Sequence, residues 1–133
     1  MDDYEVVLMA LKAKRSPVGV KSSQYSPNSF ASVHKAVSAM FSNPDPDRSF
    51  VVADGSRFGS IWELGTNLRI MNPDIYGHHV SEEKNDFATW VGDVHNDKVL
   101  VERLLGAKNN EHAAKIVVNH VVQKLHSAAQ EGR

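Results

Sequence analysis

Cysteine is absent from the 133 residues of this chain. Its absence excludes disulfide bonds, thiolate metal sites and cysteine nucleophiles together, and it fits a reducing compartment. Two motifs of catalysis and phosphate binding are missing as well. The turn at residues 54–56 lacks the glycine pattern and the Lys-Ser/Thr pair of a phosphate loop. No Gly-x-Ser-x-Gly elbow occurs, so the sequence offers no nucleophilic serine of that kind.

Net charge and long apolar runs are also lacking. The chain has 15 Lys and Arg against 16 Asp and Glu, a formal net charge of −1. This balance disfavours nucleic acid and acidic membrane surfaces as partners. No apolar run approaches the roughly 18 residues that a transmembrane helix needs, and the acidic residues 1–5 do not resemble a signal peptide. We therefore expect a cytoplasmic protein with no membrane association and no cofactor.

The length and the 41% hydrophobic content predict one globular domain. We expect residues 1–28 to contribute an N-terminal helix and a loose loop, and residues 29–133 to form the helical core. Apolar residues of 3–13 share one helical face: Tyr4, Val7, Leu8 and Leu11. This favours a helix, although the β-branched pair Val6 and Val7 leaves a strand open. The loose loop carries the only basic cluster, which we interpret as a solvated face: Lys12, Lys14, Arg15 and Lys21.

Apolar spacing predicts a second helix and then a hairpin. The helical positions are Phe30, Val33, Val37, Met40 and Phe41. This helix begins near residues 26–28 and ends by Asn43, since Pro44 disfavours helical geometry in the residue before it. Residues 49–53 form a short strand, and Asp54-Gly55 supplies the positive φ of a tight turn before the return at residues 57–58. Such a small hairpin must pack against helices.

A capping box opens the third helix. The Ser60 hydroxyl can accept from the Glu63 amide, and the Glu63 carboxylate can reach back. The buried side is Ile61, Leu64, Leu68 and Met71. Gly65 weakens the helix by up to about 1 kcal/mol relative to alanine, and it permits close approach of a neighbour. Pro73 stops the helix.

Three further helices follow, each beginning at an asparagine or aspartate. They start at Asn85 or Asp86, at residues 96–97, and at Asn109 or Asn110. We expect Gly106 to end the second of these in the left-handed conformation. The predicted buried positions are Phe87, Trp90, Val91, Val94, Leu100, Leu104, Leu105, Ala114, Val118, Val121, Leu125 and Ala128. The predicted fold class is therefore mainly α, with about six helices and one short β-hairpin near residues 49–59.

The segment 78–93 is the densest in polar chemistry. It holds His78 and His79, then the helix start at Asn85 and Asp86. Capping explains the Asn-Asp pair, because the first amides of a helix need acceptors. A hydrogen bond from His79 to Asp86 would join the preceding loop to this helix. Trp62 lies off the buried side of its own helix, so we add it to these four as a candidate binding residue.

Histidine and carboxylate side chains also raise the question of a metal site. The candidate ligands are His79 and His95, with His78 and Asp93 nearby in the sequence. Adjacent histidines diverge, and Asp93 and His95 lie about 200° apart on a helix. No His-Glu-x-x-His spacing occurs, so we predict no metal. The histidines of the last helix are predicted to be polar surface positions: His112, His120 and His126.

The segment from about residue 50 to 105 resembles a family of uncharacterised prokaryotic domains that is common in archaea. The shared pattern includes the strand and turn at residues 50–55, Glu63-Leu64, residues 75–80 and a leucine-rich helix at 100–105. Its most specific part is a histidine followed by Asn-Asp-Phe-Ala-x-Trp-Val, present here as His79 and residues 85–91. The resemblance implies a small helical domain with no known activity. Gly77 departs from the pattern, since related domains have a bulkier residue there.

Three functions remain open on the sequence. The favoured one is a non-enzymatic interaction or adaptor module, without catalytic residues, that binds a protein partner or a second copy of itself through residues 78–85. A partner carboxylate or phosphate could then sit at the amide-rich helix start. The alternatives are a nucleic-acid-binding helical domain, and a metal-dependent hydrolase that uses His78, His79 and His95.

Overall fold

The structure, a computed structural model, describes residues 27–131, with backbone alone for 27–29, together with Asp3, Val6 and Val7. The predicted class is confirmed, since this part is mainly helical with one hairpin. Its six α-helices are α1 Pro27–Phe41, α2 Ile61–Ile70, α3 Pro73–His79, α4 Asp86–Trp90, α5 Lys98–Leu105 and α6 Asn110–Gln130. The strands are β1 Phe50–Val51 and β2 Arg57–Phe58. A 3-10 turn covers Pro46–Arg48, and a π turn covers Val91–His95.

The described residues fall into two compact units. One comprises those up to Met40 and from Asn119 onward, and the other is Phe41–Val118. Asp3, Val6 and Val7 have helical backbone, in line with the predicted N-terminal helix. The rest of that helix, most of the loose loop and the basic cluster lie outside the described residues. The prediction of a single domain stays a prediction.

In the second unit, aromatic rings pack the hairpin against α4. β1 and β2 are antiparallel, with Phe50 opposite Phe58, and their rings stack at 5.1 Å. Gly55 has the predicted positive φ, 91°. The Trp90 ring meets both phenylalanine rings edge-on, and its Nε1 donates to the Arg48 carbonyl at 2.7 Å. Two-residue strands are marginal alone, so the hairpin depends on contacts such as these with the helices.

The start of α2 and the close approach at its glycine are confirmed. Ser60 Oγ accepts from the Glu63 amide at 3.1 Å, while Glu63 Oε1 accepts from the Ser60 amide at 3.2 Å. A Cβ on Gly65 would lie 3.0 Å from Val117 Cγ1 of α6. Because glycine has no Cβ, the two helices can pack this closely. Leu64 and Val117 beside this contact are fully buried.

Pro73 begins a helix, which the sequence analysis did not predict. Asn72 caps α3 by accepting from the Asp74 amide at 2.8 Å, and Pro73 occupies the first turn. Proline suits that position, since its missing N–H would have no partner there in any case. His78 and His79 therefore occupy the last turn of α3 rather than a loop. The α2 end is held from α6, where Asn110 Nδ2 donates to the Leu68 and Met71 carbonyls.

One expectation about the later helices is wrong. Gly106 has φ −90° and ψ 1°, so α5 does not end in the left-handed conformation. That conformation occurs instead at Asn96, with φ 54°, between the π turn and the Asp97 cap of α5. Asparagine tolerates it because its short polar side chain can bond locally.

None of the helices in the described part of the chain combines the length and the apolar character needed to cross a membrane.

Candidate functional site

His79 forms two hydrogen bonds inside the second unit. Its side chain is buried, and its Nε2 accepts from the Ala53 amide at 3.0 Å. Since that amide can only donate, the neutral ring carries its proton on Nδ1. Nδ1 lies 3.0 Å from Asp86 Oδ2 and donates to it, which confirms the predicted bond. His79 thus joins the hairpin turn to the start of α4, and no ring nitrogen is left for a ligand.

Asp86 is charged and has two partners. Lys84 Nζ lies 3.1 Å from the same Oδ2 that His79 contacts. Burial works to raise the pKa of the Asp86 carboxyl, but hydrogen bonds from His79 and Lys84 outweigh it and lower that pKa. The carboxylate is therefore committed to these two side chains. At the same time it neutralises the Lys84 ammonium.

The loop 80–85 is closed by backbone and side-chain bonds. Val80 and Asn85 form an isolated antiparallel bridge, and the Ser81 amide donates to the Lys84 carbonyl at 2.9 Å. Asn85 caps α4 by accepting from the Ala88 amide at 3.0 Å, and its Nδ2 donates to the Leu104 carbonyl of α5 at 3.3 Å. The loop is therefore fixed to both helices, and its tip, residues 82–83, is exposed.

An open groove of about 530 Å³ lies between this loop, α4 and the end of α5. We use "the groove" for this cavity. It is lined by residues 80–85 of the loop, Ala88 and Thr89 of α4, Val101 and Leu105 of α5, and Ala107. We call the apolar residues of this lining the floor of the groove: Val80, Ala88, Val101, Leu105 and Ala107. Leu105 is 58% exposed. Leu105 was predicted to be buried, and that prediction is wrong.

The exposed loop tip at Glu82 and Glu83, which we call the rim of the groove, is acidic. Glu82 and Glu83 are exposed, and neither carboxylate forms an ion pair with any described residue. The Lys84 charge beside them is held by Asp86. Two amides of the first turn of α4 are also occupied, since Ala88 N donates to Asn85 Oδ1 and Thr89 N to the Asn85 carbonyl. These surroundings favour a cationic group over the carboxylate or phosphate that the helix start alone suggested.

No protein-family model, no curated protein and no solved structure matches the chain. The resemblance to the archaeal domain family therefore stays a prediction. The function must be argued from the groove and its surroundings.

The five predicted binding residues do not meet at one site. Asn85 lines the groove, while Asp86 and His79 lie behind the loop and fix it. His78 is exposed, but it is not a groove residue. Trp62 is half-buried on α2, where its ring stacks on Phe41 at 5.2 Å. His79, Asn85 and Asp86 therefore position the loop, and the five residues do not form a common pocket.

The candidate metal ligands are likewise separated. His95 Nε2 donates to the Gly59 carbonyl at 2.9 Å, and its ring packs edge-on against Trp90 at 4.9 Å. Burial lowers the pKa of His95, although the Gly59 bond and Asp97 oppose this effect. Asp93 is exposed. Among the described residues, no three His, Asp or Glu side chains are grouped as metal ligands.

The histidines of α6 differ from the expectation at one position. His126 is exposed and His112 is half-buried, with its Nδ1 accepting from the Lys108 amide at 3.0 Å. His120 was predicted on the surface, but it is 1% exposed. It lies one residue before the buried Val121 on the inward side of α6, within the first unit. Helical spacing of apolar residues alone did not include it, because histidine was counted as polar.

The groove itself was found only in part from the sequence. The predicted recognition loop, residues 78–85, includes the groove residues 80–85, but the prediction does not extend to Val101, Leu105 and Ala107. A usable signal was present in the pair Leu104 and Leu105. Adjacent helical residues point about 100° apart, so both could not face one narrow core side. Leu104 is 1% exposed, and Leu105 faces the groove.

Proposed function

We propose that this protein is a non-enzymatic binding module that holds a segment of a partner protein in the groove. The observation that carries the proposal is Leu105, a large apolar side chain that is 58% exposed inside a concave surface. Apolar side chains exposed in a cavity with a polar rim are typical of interaction sites. The half-buried Val80 and Val101 extend the apolar floor around it.

The groove is also formed in advance of binding. The bridge from Val80 to Asn85, the cap on Ala88 and the bond from Asn85 to Leu104 hold its walls. A preformed site avoids the cost of ordering a loop when the partner binds. The volume of about 530 Å³ is that of a small-ligand pocket rather than of a large interface. We therefore expect a short segment with one anchoring apolar side chain, rather than a folded surface.

The test is selection of short random peptides displayed on phage against the purified protein, followed by calorimetric titration of the enriched peptides. Leu105→Asp should weaken their binding by about tenfold or more, since placing a charge against an apolar anchor costs about 1.4 kcal/mol or more. Val99→Asp is the matched control. Val99 is on the same helix and 50% exposed, but it does not line the groove.

Equal loss in the two variants, or no loss in either, would remove the groove as the binding site. Light scattering on the purified protein covers the case in which the partner is a second copy. Self-association that Leu105→Asp abolishes and Val99→Asp retains would identify the chain itself as the partner.

A further inference from the structure

We infer that the partner segment carries a lysine or arginine close to its anchoring aliphatic residue. This inference rests on the proposed function and names the chemistry of the ligand. It is based on the Glu82 and Glu83 carboxylates at the groove rim, which form no ion pair with any described residue. A segment that binds on the apolar floor would lie beside them.

The charge balance of the loop is negative. Lys84 is its only cation, and Lys84 Nζ is 3.1 Å from Asp86 Oδ2. Asp86 belongs to α4 and not to the loop tip. The ion pair therefore neutralises Lys84 and leaves the charges of Glu82 and Glu83 unchanged. Glu82 and Glu83 remain, both exposed and both without an ion-pair partner among the described residues. Two uncompensated carboxylates therefore line the groove.

Hydrogen bonds within the loop fix the backbone that carries Glu82 and Glu83. The Ser81 amide bonds to the Lys84 carbonyl at 2.9 Å, and the Glu83 amide bonds to Ser81 Oγ at 3.2 Å. These bonds fix the backbone of the tip while the two acidic side chains stay solvated. Both glutamates and Leu105 line the same cavity. A bound segment thus meets an apolar surface and two negative charges together.

A basic amphipathic segment satisfies both features. An aliphatic side chain can cover Leu105 and Val101, and a neighbouring lysine or arginine can place its stem on the apolar floor and its charge at the rim. Arginine has the better geometry, because its planar group can bind a carboxylate through two bonds. A nucleic-acid segment would instead bring phosphates against the same carboxylates, so the rim disfavours it.

The test uses two matched arrays of synthetic peptides. In the first, one leucine and one arginine occupy every spacing along an alanine–serine chain, and in the second a glutamate replaces each arginine. The wild-type protein should bind the best arginine peptides about three- to tenfold more tightly than their glutamate partners, the range of two exposed ion pairs. The preference should shrink at high salt, since the charges are exposed.

The double variant Glu82→Lys/Glu83→Lys should invert the preference and favour the glutamate array. The matched control is Glu102→Lys, an exposed glutamate on α5 that is not part of the groove, and it should keep the wild-type preference. Circular dichroism checks that each variant is folded. If the double variant does not fold, Glu82→Gln/Glu83→Gln should still abolish the preference without inverting it.

The two proposals fail in distinguishable ways. Selected peptides that depend on Leu105 but lack lysine and arginine would overturn the charge inference and leave the proposed function standing. The same holds if both arrays bind equally, or if neither does. Peptide binding that Leu105→Asp leaves unchanged would overturn both the proposed function and the inference.

Discussion

At the residue scale, His79 is the central structural side chain of the loop region. It is 6% exposed, and each of its ring nitrogens has a protein partner. Its ring also packs against Phe50 and Phe87, with centroids 5.1 and 5.3 Å away. Buried polar groups stabilise a fold only when all their hydrogen bonds are made. His79 meets that condition, because its neutral form supplies the one donor and the one acceptor that this position requires.

Replacing His79 by alanine should destabilise the protein. The variant leaves the Ala53 amide without its acceptor and opens a cavity beside two phenylalanines. We expect the free energy of unfolding in urea to fall by about 2–4 kcal/mol. His78→Ala is the matched control, since His78 is adjacent and exposed. It should change that free energy by no more than about 0.5 kcal/mol, and a comparable loss in both variants would contradict the role of His79.

His95 should make stability depend on pH. Burial lowers its pKa, so the unfolded chain takes up a proton at a higher pH than the folded chain does. The contribution of neutral His95 is fully present above the unfolded value of about 6.5. It is lost as the pH falls from there through the lower pKa of the folded state, and below that pKa the loss is complete.

The measurement is the free energy of unfolding at neutral pH and at successive acidic values, for the wild type and for His95→Gln. Glutamine can still donate to the Gly59 carbonyl, but it does not titrate. The free energy of unfolding should therefore fall less for the variant than for the wild type across this range. If it falls equally for both, His95 does not contribute to the pH dependence. The lowered pKa of Asp86 acts at still lower pH, below about 4.

At the element scale, α4 is too short to be stable alone. It has five residues, whereas isolated helices shorter than about 12–15 residues are marginal in water. Its stability comes from both ends. Asn85 caps the first turn, and the π turn Val91–His95 continues the last one. Between them, Phe87 and Trp90 pack on the hairpin rings, so the helix depends on tertiary contacts.

Two glycines within helices have opposite surroundings, so alanine at each should change stability differently. A Cβ on Gly77 of α3 would meet nothing within 4 Å, whereas one on Gly65 of α2 would lie 3.0 Å from Val117 Cγ1. Gly77→Ala should raise the free energy of unfolding by about 0.5–1 kcal/mol, the usual helical difference. Gly65→Ala should gain less than Gly77→Ala or lose stability, because Val117 is fully buried and has little room to shift.

Thermal or urea unfolding of the two alanine variants decides this. A larger gain at Gly65 than at Gly77 would mean that the contact with α6 has space to relax. The open surroundings of Gly77 also show that a bulkier residue fits at this position of α3, as the resemblance implied for related domains.

At the scale of the whole molecule, the sequence predicts the periodic features and misses the irregular ones. The capping box at Ser60, the glycine turn at Gly55 and the buried side of α2 follow local rules that a few neighbouring residues determine. The sequence does not predict α3, because Pro73 fits the end of α2 equally well, and a proline that ends one helix can begin the next. The π turn has no comparable local signal.

The groove could not be predicted in full because its walls come from distant parts of the sequence. The loop was recognisable from its polar residues, but Leu105 lies twenty or more residues away. The packing of α4 on α5 and the bond from Asn85 to Leu104 place it opposite the loop. His79 shows the same limit. Its bond to Asp86 spans seven residues and was predicted, whereas its bond to Ala53 spans 26 and was not.

The placement of the aromatic residues has a spectroscopic consequence. The chain has two tryptophans, and Trp62 and Trp90 both belong to the unit Phe41–Val118. Tryptophan emission therefore follows the unfolding of that unit, while far-ultraviolet circular dichroism follows helices of both units. Coincidence of the two signals is a standard criterion for cooperative unfolding. Without any added label, the protein can thus report whether its two units lose structure together or in sequence.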